Sequence, residues 1–231
     1  MNSSQKATVI VVHGAWADGS SWEAVIRQLQ ARGFKVLAAP IPLTSLSDDA
    51  AALKRTIERT QGPVIVAGHA YAGAVIATAD DERVKALVYV AALAPDEGET
   101  VAQVFYKDER HPQAPQLAPD YDGFIWMPDS GFDHAFAQNA TADQIALSKA
   151  VQRPIALKSI QEPAPAPAWK SKPTWYLLAE EDRMINPKTQ RFMAERMKAT
   201  IWSFPVDHAP LITAPDKVVD IILEAARVAF S

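Results

Sequence analysis

The chain has 231 residues, long enough for one α/β domain with a sizeable core, and 48% hydrophobic against 22% charged residues excludes a disordered or fibrous chain. A net charge of −4 without a basic run argues against a nucleic-acid partner. With no cysteine, a disulfide, a thiolate metal site and a cysteine nucleophile are all excluded.

The opening "MNSSQKATVIVVHG" lacks a basic region followed by a long apolar stretch, and the run Val9 to Val12 is too short for a signal segment or a membrane span. The expectation is a cytoplasmic protein that does not enter a membrane, with a processed secreted form as the alternative. In chain order, apolar runs at Thr8–Val12, Phe34–Ala39, Val64–Gly68, Ala86–Leu93, Thr174–Ala179 and, more weakly, Thr200–Phe204 read as strands. They are apolar on both parities, as parallel strands buried on both faces are. Helical patterns lie between them. Trp22 to Arg32 carries Trp22, Val25, Ile26 and Leu29 on one face, with Gly33 to end it. Ser47 is expected to cap Asp48–Thr60. Pro187 opens a helix to Met197, and Pro215 another to Val228. This alternation predicts a doubly wound, mostly parallel sheet of about six strands.

One interval breaks the alternation. Pro95 to Lys172 has no strong strand, many prolines and many aromatics; Thr141 with Gln144 forms a capping box for a helix to about Arg153. "EPAPAPAW" then reads as an extended polyproline connection. So long a structureless loop is improbable in a compact domain, so the stretch is read as an inserted helical cap. The expected division is a core of residues 1–94 and 173–231 with a cap of 95–172; a helical layer with no role in a site is the alternative.

Within "VIVAGHAYAGAVI", an apolar run ends at Gly68 and another resumes after Gly73. Strand, sharp turn and helix is the setting of a nucleophile elbow, G-x-S-x-G, but here Ala70 holds the serine position and Ala72 the last glycine. "HGAWADGSSW" follows the first strand, and its His-Gly turn leaves amides free. The N–H groups of Ala15 and Tyr71 are candidates to converge on one oxygen as an oxyanion hole. Asp182, in "AEEDRMI", and His208, in "PVDHAPL", follow late strands and should reach the carboxyl edge of the sheet, where such sheets bind ligands.

Elbow, acid, base is the chain order of the α/β-hydrolase triad. On "VVHGAWADGSSW", "GHAYAGAVI", "YVAALAPDEGE", "KSKPTWYLLAEEDRMINP" and "DHAPLITAPDKVVDIILEAA", the chain resembles the α/β-hydrolases, in particular small cap-bearing bacterial esterases distantly similar to plant methylesterases and hydroxynitrile lyases. The resemblance covers both ends and the sheet, with little signal in the cap. It implies serine at the position of Ala70, the acid at Asp182, the base at His208 and oxyanion donors at Ala15 and Tyr71. It implies no cofactor, a small-molecule ester as substrate, and a monomer or homodimer. The aromatic cap suggests a small or medium apolar or aromatic ester, with Trp16 and Trp126 as candidate substrate contacts. Asp96 is the reserve acid. Asp207 is next to His208 in sequence and poorly placed to orient its ring, and His13 is read as structural. His111 and His134 are read as solvated, and scattered histidines without ligand spacing give no metal site. Gly68-x-Ala70-x-x-Gly73 also matches a relaxed dinucleotide fingerprint, but it follows the third strand and the next strand ends without an acid.

Alanine at position 70 has three readings: a deliberate Ser→Ala substitution in a hydrolase, which is favoured; a non-hydrolytic binding protein; and a cofactor-free lyase with His208 as general base. Under the first, the chain is an inactive form of an esterase.

Overall fold

The computed structural model describes residues 7–230. The strands are β1 (Thr8–Val12), β2 (Lys35–Ala39), β3 (Val64–His69), β4 (Val84–Val90), β5 (Phe124–Ile125), β6 (Ile155–Ala156), β7 (Thr174–Ala179) and β8 (Thr200–Phe204). Six of them form one parallel sheet in the order β2-β1-β3-β4-β7-β8. β1, β3 and β7 are buried at every position, as their two-sided apolar runs require, while edge strands β2 and β8 are partly exposed.

The helices are α1 (Glu23–Ala31), α2 (Leu46–Glu58), α3 (Ala72–Ile76), α4 (Val101–Phe105), α5 (Asp129–Gly131), α6 (Ala142–Val151), α7 (Leu157–Gln161), α8 (Pro187–Arg196), α9 (Pro210–Thr213) and α10 (Pro215–Ala229). α1 packs with α10, and α2 with α3, so that helices flank the sheet. Gly33 ends α1 at a positive φ of 86°. The cap of α2 differs from expectation. Ser45, in extended conformation, accepts a 3.0 Å bond from the Asp48 amide, while Ser47 lies inside the first turn. β4 stops at Val90, short of the expected Leu93, because Ala91 turns into the left-handed region at φ 44°.

Between β4 and β7 the chain makes short helices, as expected, but also the antiparallel pair β5–β6, two residues each and too short to carry a period. The Thr141–Gln144 capping box opens α6. α5 runs into a π-helical turn, Phe132–Phe136. The stretch after α7 is extended, with polyproline-like angles at Glu162 and Pro167.

From β1 the chain goes out to β2 and returns on the other side of β1 as β3. The connections therefore diverge between β1 and β3, and a parallel sheet opens a ligand crevice at the carboxyl ends of such a pair. Val12 of β1 is level with Gly68 of β3, so the His13-Gly14 turn and the Ala70 turn emerge side by side.

Candidate active site

β3 ends at His69 and α3 begins at Ala72, leaving Ala70 and Tyr71 to make the whole turn. Ala70 takes φ 50°, a left-handed conformation that costs an L-residue about 1–2 kcal/mol. The surroundings hold it there. Its carbonyl accepts from the amides of Gly73 (3.1 Å) and Leu93 (2.9 Å). Two glycines let the backbone close up. A Cβ on Gly68 would lie 2.9 Å from the Ala72 carbonyl oxygen, and one on Gly73 only 2.2 Å from that of Leu93. The close approach falls on Gly73, so Ala72, at the last glycine of the short pattern, is accommodated fully buried. Gly14 is constrained from the other side: a Cβ there would meet the Ala70 methyl at 3.0 Å.

Asp182 follows β7 and His208 follows β8. They meet in the fold: His208 Nδ1–H donates to Asp182 Oδ2 at 2.8 Å, with both residues buried. A carboxylate oxygen accepts, so Nδ1 carries a proton, and in the neutral ring Nε2 is then the nitrogen with the lone pair. Asp182 is further held by the amides of Met184 (2.7 Å) and Ile185 (2.9 Å) on Oδ1 and by Gln190 Nε2 (2.7 Å) on Oδ2. Gln190, on α8, is in turn fixed by the Ala179 amide on its Oε1. Nothing in the sequence pattern singled it out.

His69 has a second unanticipated contact. Its Nε2–H donates to the His208 carbonyl at 2.7 Å, and the two rings lie 4.8 Å apart. Burial, and then the neighbouring His208, drive its pKa well below the ordinary histidine value, so the ring is neutral. His13 is also buried, with Nδ1–H on the Gly14 carbonyl at 2.9 Å, and burial lowers its pKa.

Ala15, Tyr71, Ala70 and His208 line one cleft with about 590 Å³ of empty space, mouth included, otherwise walled by apolar side chains such as Leu93, Ile125 and Phe136. Among the described residues, the amides of Ala15 and Tyr71 have no hydrogen-bond acceptor. The Tyr71 phenol points elsewhere and donates to Asp49 Oδ2 at 2.6 Å. Asp49 is buried on α2 and also accepts from the Leu43 amide at 2.7 Å; burial outweighs these bonds and pushes its pKa up to about 6.

The remaining candidates separate. Trp16 lines the cleft, its indole Nε1 donating to the Ile125 carbonyl at 2.9 Å. Trp126 does not: it is 50% exposed, with its indole on Asp120 Oδ2 at 3.2 Å. Ile125, the last residue of β5, lines the cleft, and Trp126 follows it just beyond the strand. Asp96 is away from the histidine, paired with Lys170 at 2.5 Å. Asp207 accepts from the Asn139 amide and from the Thr213 hydroxyl, tying the segment before α6 to the core. His111 and His134 are exposed. Among the described residues no group of three or more His, Cys, Asp and Glu converges in a way that holds a metal, and no helix is long and apolar enough to cross a membrane.

The family model that matches residues 9–221 is that of the alpha/beta hydrolase family. The alpha/beta hydrolase nvfD of Aspergillus novofumigatus is 24% identical over 249 residues, covering 96% of this chain and 97% of that protein. The structure of a pyrethroid hydrolase from Sphingobium faniae JZ-2 superposes with a TM-score of 0.83 at 22% identity, over 96% of this chain and 98% of that one. Tomato methylketone synthase I superposes at 0.85 with 16% identity, over 97% and 99%. These two likenesses show the shared fold.

Proposed function

The chain belongs to the alpha/beta hydrolase family, and on that premise we propose that it is a carboxylic ester hydrolase scaffold that binds a small or medium apolar ester and, with alanine at position 70, does not cleave it. The observation that carries this reading is the buried His208–Asp182 pair beside the Ala70 methyl, in a cleft where the Ala15 and Tyr71 amides have no other acceptor. In the serine form, the position 70 hydroxyl attacks the carbonyl carbon while His208 Nε2 takes its proton. The two amides hold the oxygen that gains charge, and Asp182 keeps the imidazole in the required tautomer. His208 then returns the proton to the departing alcohol, and a water activated by the same nitrogen releases the acid. In the chain as it stands the methyl supplies no electron pair, and the ester stays whole.

A second reading is a cofactor-free lyase in which His208 acts as general base. The full set of bonds around Asp182, kept although the elbow tip is inert, favours it, and a fold neighbour is named a synthase of methylketones. A crystal soaked with an aryl ester tests the first. An intact ester, its carbonyl oxygen near the Ala15 and Tyr71 amides and its acyl carbon about 3–4 Å from the Ala70 methyl, supports the first. A ligand elsewhere, or the cleft closed to esters, overturns it.

A further inference from the structure

A second crevice opens beside the cleft. On one side it is bounded by the loop after β1 and the start of α1, with Asp18, Ser20 and Glu23, and on the other by α6, with Gln144, Leu147 and Ser148. It is more polar than the cleft. The two cavities share only two lining residues, Trp16 and Phe136.

Both partition residues are held firmly. Trp16 takes a left-handed backbone, φ 59°, which a bulky side chain adopts only where its surroundings impose it. Its amide donates to the Arg153 carbonyl at 3.0 Å and its indole to the Ile125 carbonyl at 2.9 Å, so the ring is pinned between two segments of the connection from β4 to β7. Phe136 is buried at the end of the π-helical turn, with its ring edge-on to His208 at 5.3 Å and to Phe132 at 5.3 Å. π-helical turns recur where a side chain has to be re-aimed at a functional site. Close packing makes such a wall a hard stop, since an added methylene in a filled space forces neighbours off their rotamers.

We propose that Trp16, backed by Phe136, is a specificity-determining residue: its indole is the end wall of the cleft and limits the length of the neutral apolar arm the cleft accepts. Behind it lies ready space, so removing the indole joins cleft and crevice rather than leaving a sealed void. The inference rests on the ester reading only for the identity of the arm; the length limit belongs to the cavity itself.

The test uses the chain with its alanine at position 70 and phenyl alkyl ketones, acetophenone to octanophenone, as non-hydrolysable probes, with affinity read by titration calorimetry. In the parent, affinity rises with each carbon and then drops at a cut-off length. In Trp16→Ala the rise continues past that length, about fourfold per methylene, the equivalent of about 0.8 kcal/mol per buried CH₂. Trp16→Phe, a milder change, moves the cut-off part of the way. Adding Ser148→Trp to Trp16→Ala refills the crevice from α6, a helix with no buried residue of its own, and restores the parental cut-off. An unmoved cut-off in Trp16→Ala and Trp16→Phe, a cut-off that Ser148→Trp fails to restore, or no ketone binding at any length overturns the proposal. A moved cut-off together with an Ala70→Ser protein that cleaves no ester would sink the ester reading and leave the wall standing. An active Ala70→Ser protein with an unmoved cut-off would do the reverse.

Discussion

Asp182 accepts four hydrogen bonds, whereas the amides of Ala15 and Tyr71, across the same cleft, donate none. The two sides of the site are stabilised differently. On the acid–base side, Gln190, Asp182, His208 and His69 form a continuous buried chain in which each polar contact fixes the next. On the elbow side, the tip residue is strained and donors are withheld. The difference teaches where freedom is kept. The carboxylate and the histidine ring are held by several hydrogen bonds, and the amides of Ala15 and Tyr71 are left without a protein acceptor.

The largest expected effect restores the missing side. Ala70→Ser should raise kcat towards aryl acetates by several orders of magnitude. The reverse change in a serine protease costs about 10⁶. Equal rates for the two proteins would mean that the unpaired amides and the paired histidine do not serve one reaction.

Breaking the saturated side comes next. In the Ala70→Ser background, Asp182→Asn should lower kcat by about 10⁴, because the amide favours the wrong imidazole tautomer. Asp96→Asn, which touches only the Lys170 pair and a local turn, should leave kcat within a few-fold. A larger loss from Asp96→Asn would reverse the assignment of the acid.

A third effect is read in stability and concerns the anchor of the elbow. Burial raises Asp49 to about 6 in the folded chain, from an ordinary value of 3.8. The folded state therefore keeps a proton that the unfolded chain loses, and stability falls as pH rises from about 4 to about 6, by roughly 3 kcal/mol. His13 and His69 act in the opposite sense: with lowered folded values, they cost stability as pH falls below 6.5. Urea unfolding of the parent and Asp49→Asn across this range isolates the carboxyl, because the difference between the two curves should change between pH 4 and 6 and be flat above. A difference that stays flat throughout would show that Asp49 is not held protonated by its burial.

The smallest effect marks the limit of the site. Trp126→Ala should change ligand affinity less than twofold and stability by no more than about 0.5 kcal/mol, since the ring faces solvent. A tenfold loss in affinity would return Trp126 to the binding surface.

Much of the architecture was legible from local pattern. Runs apolar on both parities can be buried only between two layers, so Thr8–Val12, Val64–Gly68 and Thr174–Ala179 announced central parallel strands. Thr141 and Gln144 satisfy each other's backbone within one turn, so the start of α6 needed no tertiary partner to be read. The elbow was visible for the same reason: glycines at 68 and 73 and a two-residue turn are demands of the adjacent backbone. Other features depended on contacts between distant segments. His69 reaches His208 across 139 positions, and Trp16 reaches Ile125 across 109, and no short window contains both partners. The sequence preferred Asp182 to Asp96 only through chain order and resemblance; the contact itself, Asp182 on His208 and Asp96 on Lys170, depends on β8 lying next to β7. Ile125 lines the cleft while Trp126, just past the end of β5, is half-exposed, and a strand of two residues offers no period from which that difference could be read.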